Sequence, residues 1–262
     1  MSINVRPPAV AGTFYPSSER QLRSEVTDFL AAAEPIKIDR PKCLIVPHAG
    51  FIYSASTAAS AYCSLDQYAK DITKVVLMGP SHRVPLRGIA IPRWRSFATP
   101  LGAIELDQAS LQKIENRAYV VRDNAPHQLE HSLEVQLPFL QVVLPDFNLV
   151  PLVVGDCAPN QVAEIIDQLW GGDETLFVCS TDLSHFHPYE EATLIDSATC
   201  DQILDRYTRL VGTQACGCSP LNGVLNAALK RGLEVRRLSY RNSGDTAGSH
   251  DSVVGYGAFA VG

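Results

Sequence analysis

No stretch of the 262 residues approaches the roughly 18 consecutive apolar residues of a membrane span, and the opening "MSINVRPPAVAG" has no basic region leading into an apolar one. A membrane-inserted or secreted chain is therefore not expected, and a cytoplasmic one is. Positive charge is in deficit. Lys and Arg number 22 against 28 Asp and Glu, for a formal net charge of -6. An acidic body repels phosphate, so nucleic acid and anionic membranes are not expected partners, and small molecules or proteins are. Cysteine is present but unpatterned. The seven residues, an odd number, include no C-x-x-C pair, and Cys43 and Cys179 lie inside apolar runs, which points to reduced thiols. The nearest pair, Cys216 and Cys218 in "ACGCSP", has poor spacing for a zinc knuckle, which leaves a redox or metal role for it as the lesser reading. Repeats, charge blocks and a Pro/Gly/Ser linker are also missing, so residues 1–262 read as a single domain.

What the chain does have is 46% hydrophobic composition, ample for a core, arranged in short apolar runs. The opening is loop-like to Pro16, and residues 17–35, "SSERQLRSEVTDFLAAAEP", read as a helix capped by Ser17 or Ser18, with Leu22, Val26, Phe29 and Leu30 on one face. "KCLIVP", "KVVLMG", "NLVPLVVG" and "TLFVCS" read as buried strands, and "SASTAASAYCSL" as a small-residue helix after the first of them. "LEVRRLSY" and "SVVGYGAFAV" close the chain as two more strands. Strands alternating with helices predict an α/β domain, with a largely parallel or mixed central sheet and helices on both faces.

Three of the buried runs open directly into histidine-bearing loops. "VPHAG" carries His48, "MGPSH" carries His82, and "CSTDLSHFH" carries Asp182, His185 and His187. In open parallel sheets the ligand crevice lies at the carboxyl ends of the strands, so these loops propose a cleft lined by imidazoles. Neutral imidazole ligates iron, copper, zinc and nickel, and two histidines with one carboxylate leave positions open for substrate or oxygen. A lone loop histidine more often caps a turn or sits in solvent, the reading favoured for His187. His48 and His82, each set among Pro and Gly that fix the backbone, favour metal.

A fourth cluster, "NAPHQLEHSLEVQLPFL", reads as a helix capped by Asn124, with Pro126 in its first turn and His127 and His131 at i and i+4 beside Glu130. H-x-x-E-H is the inverted zinc-protease pattern, which keeps a zinc hydrolase open as a reading. Its rivals are plain packing by Leu133, Leu137 and Leu140, with Glu130, His131 and Glu134 merely polar, and a role for the segment in orienting ligands or touching substrate. In "YRNSGDTAGSHDS", near the end, Asp245, His250 and Asp251 are each able to complete a metal site, although a Gly- and Ser-rich turn between strands needs no ligand to explain it.

Taken in order, "AGTFYP", "PHAGFIYS", "GPSHRVPL", "EHSLEVQLPFL", "STDLSH" and "CGCSPLNGVLNA" resemble the Memo family, called AmmeMemoRadiSam system protein B in many prokaryotes. The match spans nearly the whole chain. The family is similar in fold to the class III extradiol dioxygenases, which hold non-haem Fe(II) with two histidines and a glutamate. The resemblance implies His48 and His82 as metal ligands, with Fe(II) first and copper or zinc as alternatives. It aligns His185 with the dioxygenases' acid–base histidine, with Asp182 or His131 to orient it. At the third ligand this chain departs from the family: animal Memo proteins place a cysteine where this loop has Thr246, with Asp245 immediately before it. Asp245 is thus the expected third ligand. Two functions follow from the resemblance. One is a dioxygenase-type oxidoreductase acting on a small catechol-like molecule. The other is a non-catalytic metal- or peptide-binding accessory protein working with AMMECR-type and radical-SAM partners.

Overall fold

Apolar runs of four to seven residues become the central strands because both faces of the sheet are covered, which removes the need for a polar alternate position. The computed structural model describes residues 4–34, 36 and 38–262. The first part of the chain forms β1 (Val5–Arg6), α1 (Glu19–Ala32), β2 (Cys43–Val46), α2 (Phe51–Tyr62), β3 (Lys74–Pro80), β4 (Ile89–Ile91), β5 (Ser96–Thr99), β6 (Gly102–Glu105), α3 (Gln108–Ile114) and β7 (Val120–Arg122). The remainder forms α4 (Ala125–Gln128), α5 (Leu137–Val143), β8 (Asn148–Val154), α6 (Pro159–Leu169), β9 (Thr175–Ser180), β10 (His185–His187), α7 (Tyr189–Leu204), α8 (Cys218–Arg231), β11 (Val235–Asn242) and β12 (Val253–Val261).

The main sheet runs β10-β12-β2-β9-β3-β8-β4-β7, with β11 also paired to β12. The sheet is mixed. Its centre, β2-β9-β3-β8, is parallel, whereas β12 meets β2 and β4 meets β8 antiparallel. Helices flank it in two groups: α8 lies on β3 and β9 with α6 packed behind, while α2 lies on β2 and β12 with α1 and α5 behind it. A smaller sheet, β1-β5-β6, had no counterpart in the sequence reading. The expected α1 starts where Ser18 accepts the Gln21 N–H and ends at Ala32; Pro35, its expected last residue, lies outside the described residues, as do Met1, Ser2 and Ile3 of the expected opening loop. Among the described residues no helix is long and apolar enough to cross a membrane.

Register decides what the sheet can build. Val46 pairs with Ser180, and Cys179 with Met78, so β2, β9 and β3 leave the sheet side by side on one edge and at nearly one level. His48, Asp182, His185 and His82 follow those three exits.

Candidate metal centre

His48 leaves β2 through Pro47 and is 1% exposed. Its Nδ1 lies 2.9 Å from Ser180 Oγ. The Ser180 hydroxyl donates to the Ser132 carbonyl at 2.6 Å and accepts from the Gln136 amide at 2.8 Å, so its single proton is committed. Ser180 Oγ can then only accept from the ring, which places the hydrogen on His48 Nδ1 and leaves Nε2 with a bare lone pair. At His82 the backbone N–H donates to Glu130 Oε2 at 2.6 Å and the ring Nδ1 meets Oε1 at 2.9 Å. A carboxylate only accepts, so Nδ1 again carries the hydrogen and Nε2 is bare. Glu130 also receives the N–H groups of His131 and Ser132, each at 3.0 Å. Burial alone would raise its pKa, but the His82 ring and these N–H groups outweigh that and hold the carboxyl at about 2.

The third donor brought beside His48 and His82 is His131; Asp245, the expected third ligand, is not in this group. The His131 ring centroid lies 4.7 Å from that of His82 and 5.4 Å from that of His48, and the three rings offer nitrogens all within 4.8 Å of one another. His131 Nδ1 is buried and makes no hydrogen bond. Burial, followed by mutual proximity, drives His48 well below the ordinary histidine pKa, and burial leads in lowering His131 to about 4. Both are therefore neutral at pH 7, the state in which imidazole ligates metal.

The segment that delivers His131 is not the helix its pattern suggested. α4 stops at Gln128, Leu129 leaves helical geometry at φ -114 and ψ 9, and a short 3₁₀ turn at Glu134–Gln136 precedes α5. His127 consequently points away from the cluster. Its Nε2 donates to the Ala90 carbonyl at 3.0 Å and its ring packs against Phe97, so the i, i+4 zinc pair of an H-x-x-E-H protease is not assembled. Buried side chains hold the irregular path instead. Arg6 donates to the carbonyls of His127 and Glu130 at 2.7 Å and pairs with Glu134 at 2.6 Å. Glu134 also takes the Ala9 and Val10 N–H groups and the Tyr15 hydroxyl, while Gln136 reaches the Pro47 carbonyl at 2.7 Å. Gly79 on β3 permits the approach, since a Cβ there would sit 2.9 Å from Ser132 Oγ.

The remaining expected residues divide. Asp182 accepts the His48 N–H at 2.7 Å, and burial raises its pKa to about 7 against the opposing pull of that N–H. His185 donates Nδ1–H to the Leu183 carbonyl at 2.8 Å, which leaves Nε2 as an acceptor, and burial lowers its pKa. The next residue, Phe186, is 77% exposed and holds a left-handed φ of 62, a strained conformation for a bulky side chain. His187 pairs with Glu191 near the surface. Asp245 is occupied elsewhere: it receives the Tyr189 hydroxyl at 2.6 Å and the Asn242 N–H at 2.8 Å, within its own 3₁₀ turn. Thr246 Oγ1 bonds the carbonyls of Ser243 and Tyr53, and His250 stacks on Tyr189. Asp251 is exposed. Two features that the sequence left among several readings take a definite place: Glu130 is the carboxylate that orients His82, and Cys216 sets its Sγ 3.4 Å from His48 Nε2.

Comparison with known proteins matches residues 6–260 to the family described as Memo-like protein. The chain belongs to that family. A MEMO1 family protein of Aquifex aeolicus is 35% identical, with the match covering 97% of this chain and 98% of that one. MEMO1 family proteins of Methanosarcina mazei and Aeropyrum pernix are each 34% identical over 99% of this chain and 100% of theirs. Among solved structures, the uncharacterized protein JW3007 from Escherichia coli K12 superposes with a TM-score of 0.53 at 11% identity, covering 85% of this chain and all of that one, a likeness of fold alone. The Memo motifs are the parts of this centre. "PHAGFIYS" and "GPSHRVPL" supply His48 and His82, "EHSLEVQLPFL" supplies Glu130, His131 and Glu134, "STDLSH" supplies Asp182 and His185, and "CGCSPLNGVLNA" supplies Cys216. "AGTFYP" supplies Phe14, 4.8 Å from the His131 ring, and Tyr15.

The donor set fits a divalent transition-metal ion. Fixed tautomers leave Nε2 of His48 and of His82 without a hydrogen, and the third imidazole, whose Nδ1 makes no hydrogen bond and lies 3.4 Å from Glu130 Oε1, brings a further ring nitrogen within 4.8 Å of both.

Proposed function

We propose that this chain is a metal-dependent oxidoreductase of dioxygenase type, acting on a small catechol-like molecule, with Fe(II) held by His48, His82 and His131 and copper or zinc as alternative occupants. The observation that carries this reading is the convergence of three imidazoles, two of them held by Glu130 and Ser180 in the tautomer that ligates through Nε2. A bound Fe(II) would supply Lewis acidity and open positions for a diol and O₂. The chain's own residues would handle the proton. His185, depressed by burial and therefore neutral at pH 7, presents Nε2 to take a proton from a substrate hydroxyl and later return it. Asp182, held near neutrality at about 7, stands beside His48 able to keep or release a second proton.

The test is oxygen consumption by anaerobically Fe(II)-loaded protein across a panel of catechols and aminophenols, with metal content measured in parallel. The reading expects uptake in the parent, iron retained but uptake lost in His185→Gln, and both lost in the His48→Ala, His82→Ala double variant. Iron-replete parent protein inert across the panel would overturn it.

One observation favours a second reading, a metal- or peptide-binding accessory protein. The three convergent ligands are all imidazoles, and Asp245, which would complete a two-histidine, one-carboxylate site, is held by Tyr189. This reading expects AMMECR-type or radical-SAM partners to co-purify with the chain from its native host, and is abandoned when neither does.

A further inference from the structure

We propose that Cys216 donates a fourth, sulfur ligand to the metal held by His48, His82 and His131, making the centre a three-nitrogen, one-sulfur site. The inference deepens the metal-site reading above and rests on it. Cys216 Sγ lies 3.4 Å from His48 Nε2, the nitrogen that the Ser180 network leaves bare. With metal–nitrogen and metal–sulfur bonds of about 2.0–2.1 and 2.3 Å, two donors on one tetrahedral ion stand roughly 3.5 Å apart. The observed separation is that of a thiol donating to the ring nitrogen and is close to that of two ligands on one ion; Cys216 lies outside the group of donors within 4.8 Å of one another, so its side chain has to turn toward the three rings to complete the site.

One backbone donor faces the sulfur, against burial and the Asp182 carboxyl, which favour the neutral thiol in the free protein. The Asp182 backbone N–H donates to Sγ at 3.3 Å, a bond that stabilises negative charge on the sulfur once a metal displaces the thiol proton to solvent. The loop is pressed onto the end of β9 at Gly217, where a Cβ would lie 2.8 Å from both the Ser180 carbonyl oxygen and the Thr181 Cβ. Only glycine allows this approach, and the approach fixes the preceding sulfur over the strand exit. The Gly217 N–H is tied to Thr181 Oγ1 at 2.9 Å, which locks the same geometry. A groove lined by Pro80, Ser81, Asp156, Cys216 and Ser219 opens beside the sulfur and gives an ion a route to it. A thiolate ligand shifts the preference of an all-imidazole set toward softer ions such as Zn(II) and Cu(I).

The test loads the full chain with Co(II) under reducing, oxygen-free conditions and reads bound metal together with near-ultraviolet thiolate-to-cobalt charge transfer. The parent should bind one Co(II) per chain and show the band. Cys216→Ala should retain the ion about tenfold or more weakly, at least what losing an outer partner of a ligand costs, and lose the band. Cys218→Ala, which removes the neighbouring thiol, should keep both. Cys216→Ser tests the sulfur at nearly constant volume and should also lose the band. Stoichiometric Co(II) without the band in the parent, or a band that survives in Cys216→Ala, overturns the sulfur ligand and leaves the histidine site standing. Failure of the parent to bind Co(II) overturns both.

Discussion

A histidine ligates through whichever nitrogen its neighbours leave bare, so Ser180 and Glu130 determine this centre as much as the rings do. Glu130→Gln should lower metal affinity by roughly tenfold to a hundredfold, because an amide with one acceptor oxygen cannot take the His82 ring and all three backbone N–H groups that the carboxylate holds. Competition against a chelator of known affinity measures this. His127 gives a separate pH signature. Burial holds it at about 3 in the folded state, below the ordinary 6.5. Above pH 6.5 both states are neutral there and its full contribution is present; as pH falls toward 3 the unfolded chain gains a proton that the folded chain refuses, and stability drops. Denaturant unfolding at pH 7 and pH 5 should therefore show a loss that shrinks in His127→Gln, whose amide can still donate to the Ala90 carbonyl. At this scale His48 and His82 were legible, because a buried run ending in Pro-His or Pro-Ser-His announces a strand exit. The place of Asp245 was not legible, because its local turn and Tyr189, 56 residues away in sequence, both take the carboxylate in the folded chain.

Between residue 129 and α5 the chain follows a path that no periodicity encodes, and one fully buried ion pair secures it. Arg6→Ala removes the partner of Glu134 and two carbonyl contacts, leaving a buried carboxylate uncompensated, and should cost about 3–5 kcal/mol in denaturant unfolding. The loss should fall on the metal site as well, since His131 rides on the segment that Arg6 holds. The central strands were readable from the sequence because each is a short, continuous apolar run covered on both sides. The 130–136 segment was not: its helical spacing of His127 and His131 is real, but Glu130, Glu134 and Gln136 spend their side chains on distant backbone, and Leu129 breaks the turn. The small sheet escaped because β1 has two residues and β5 and β6 have four each, below the length at which alternation is visible.

Across the molecule, the three histidines join the ends of β2 and β3 to the loop leading into α5, so an ion bound there ties together elements far apart in the chain. At a free metal concentration a hundredfold above Kd, binding to the folded state alone adds about 2.7 kcal/mol, or roughly 5–10 °C in melting temperature for a chain of this size. Thermal unfolding with and without metal should show the shift in the parent and none in the His48→Ala, His82→Ala variant. The alternation of strands and helices made the α/β class legible, whereas the antiparallel additions of β4, β10 and β12 depend on pairings that only the folded register reveals.

The ends of that sheet carry a consequence for how the protein behaves in a crowded solution. β7 and β10 offer only three residues each, β10 is broken by a register shift, and β11 carries Arg236, Arg237 and Arg241 along its length with α7 packed against it. Short, bulged or cationic borders are poor templates for a foreign strand. The sheet is thus self-terminating: its margins offer a foreign strand little backbone to pair with, although its apolar interior would favour cross-β stacking if exposed.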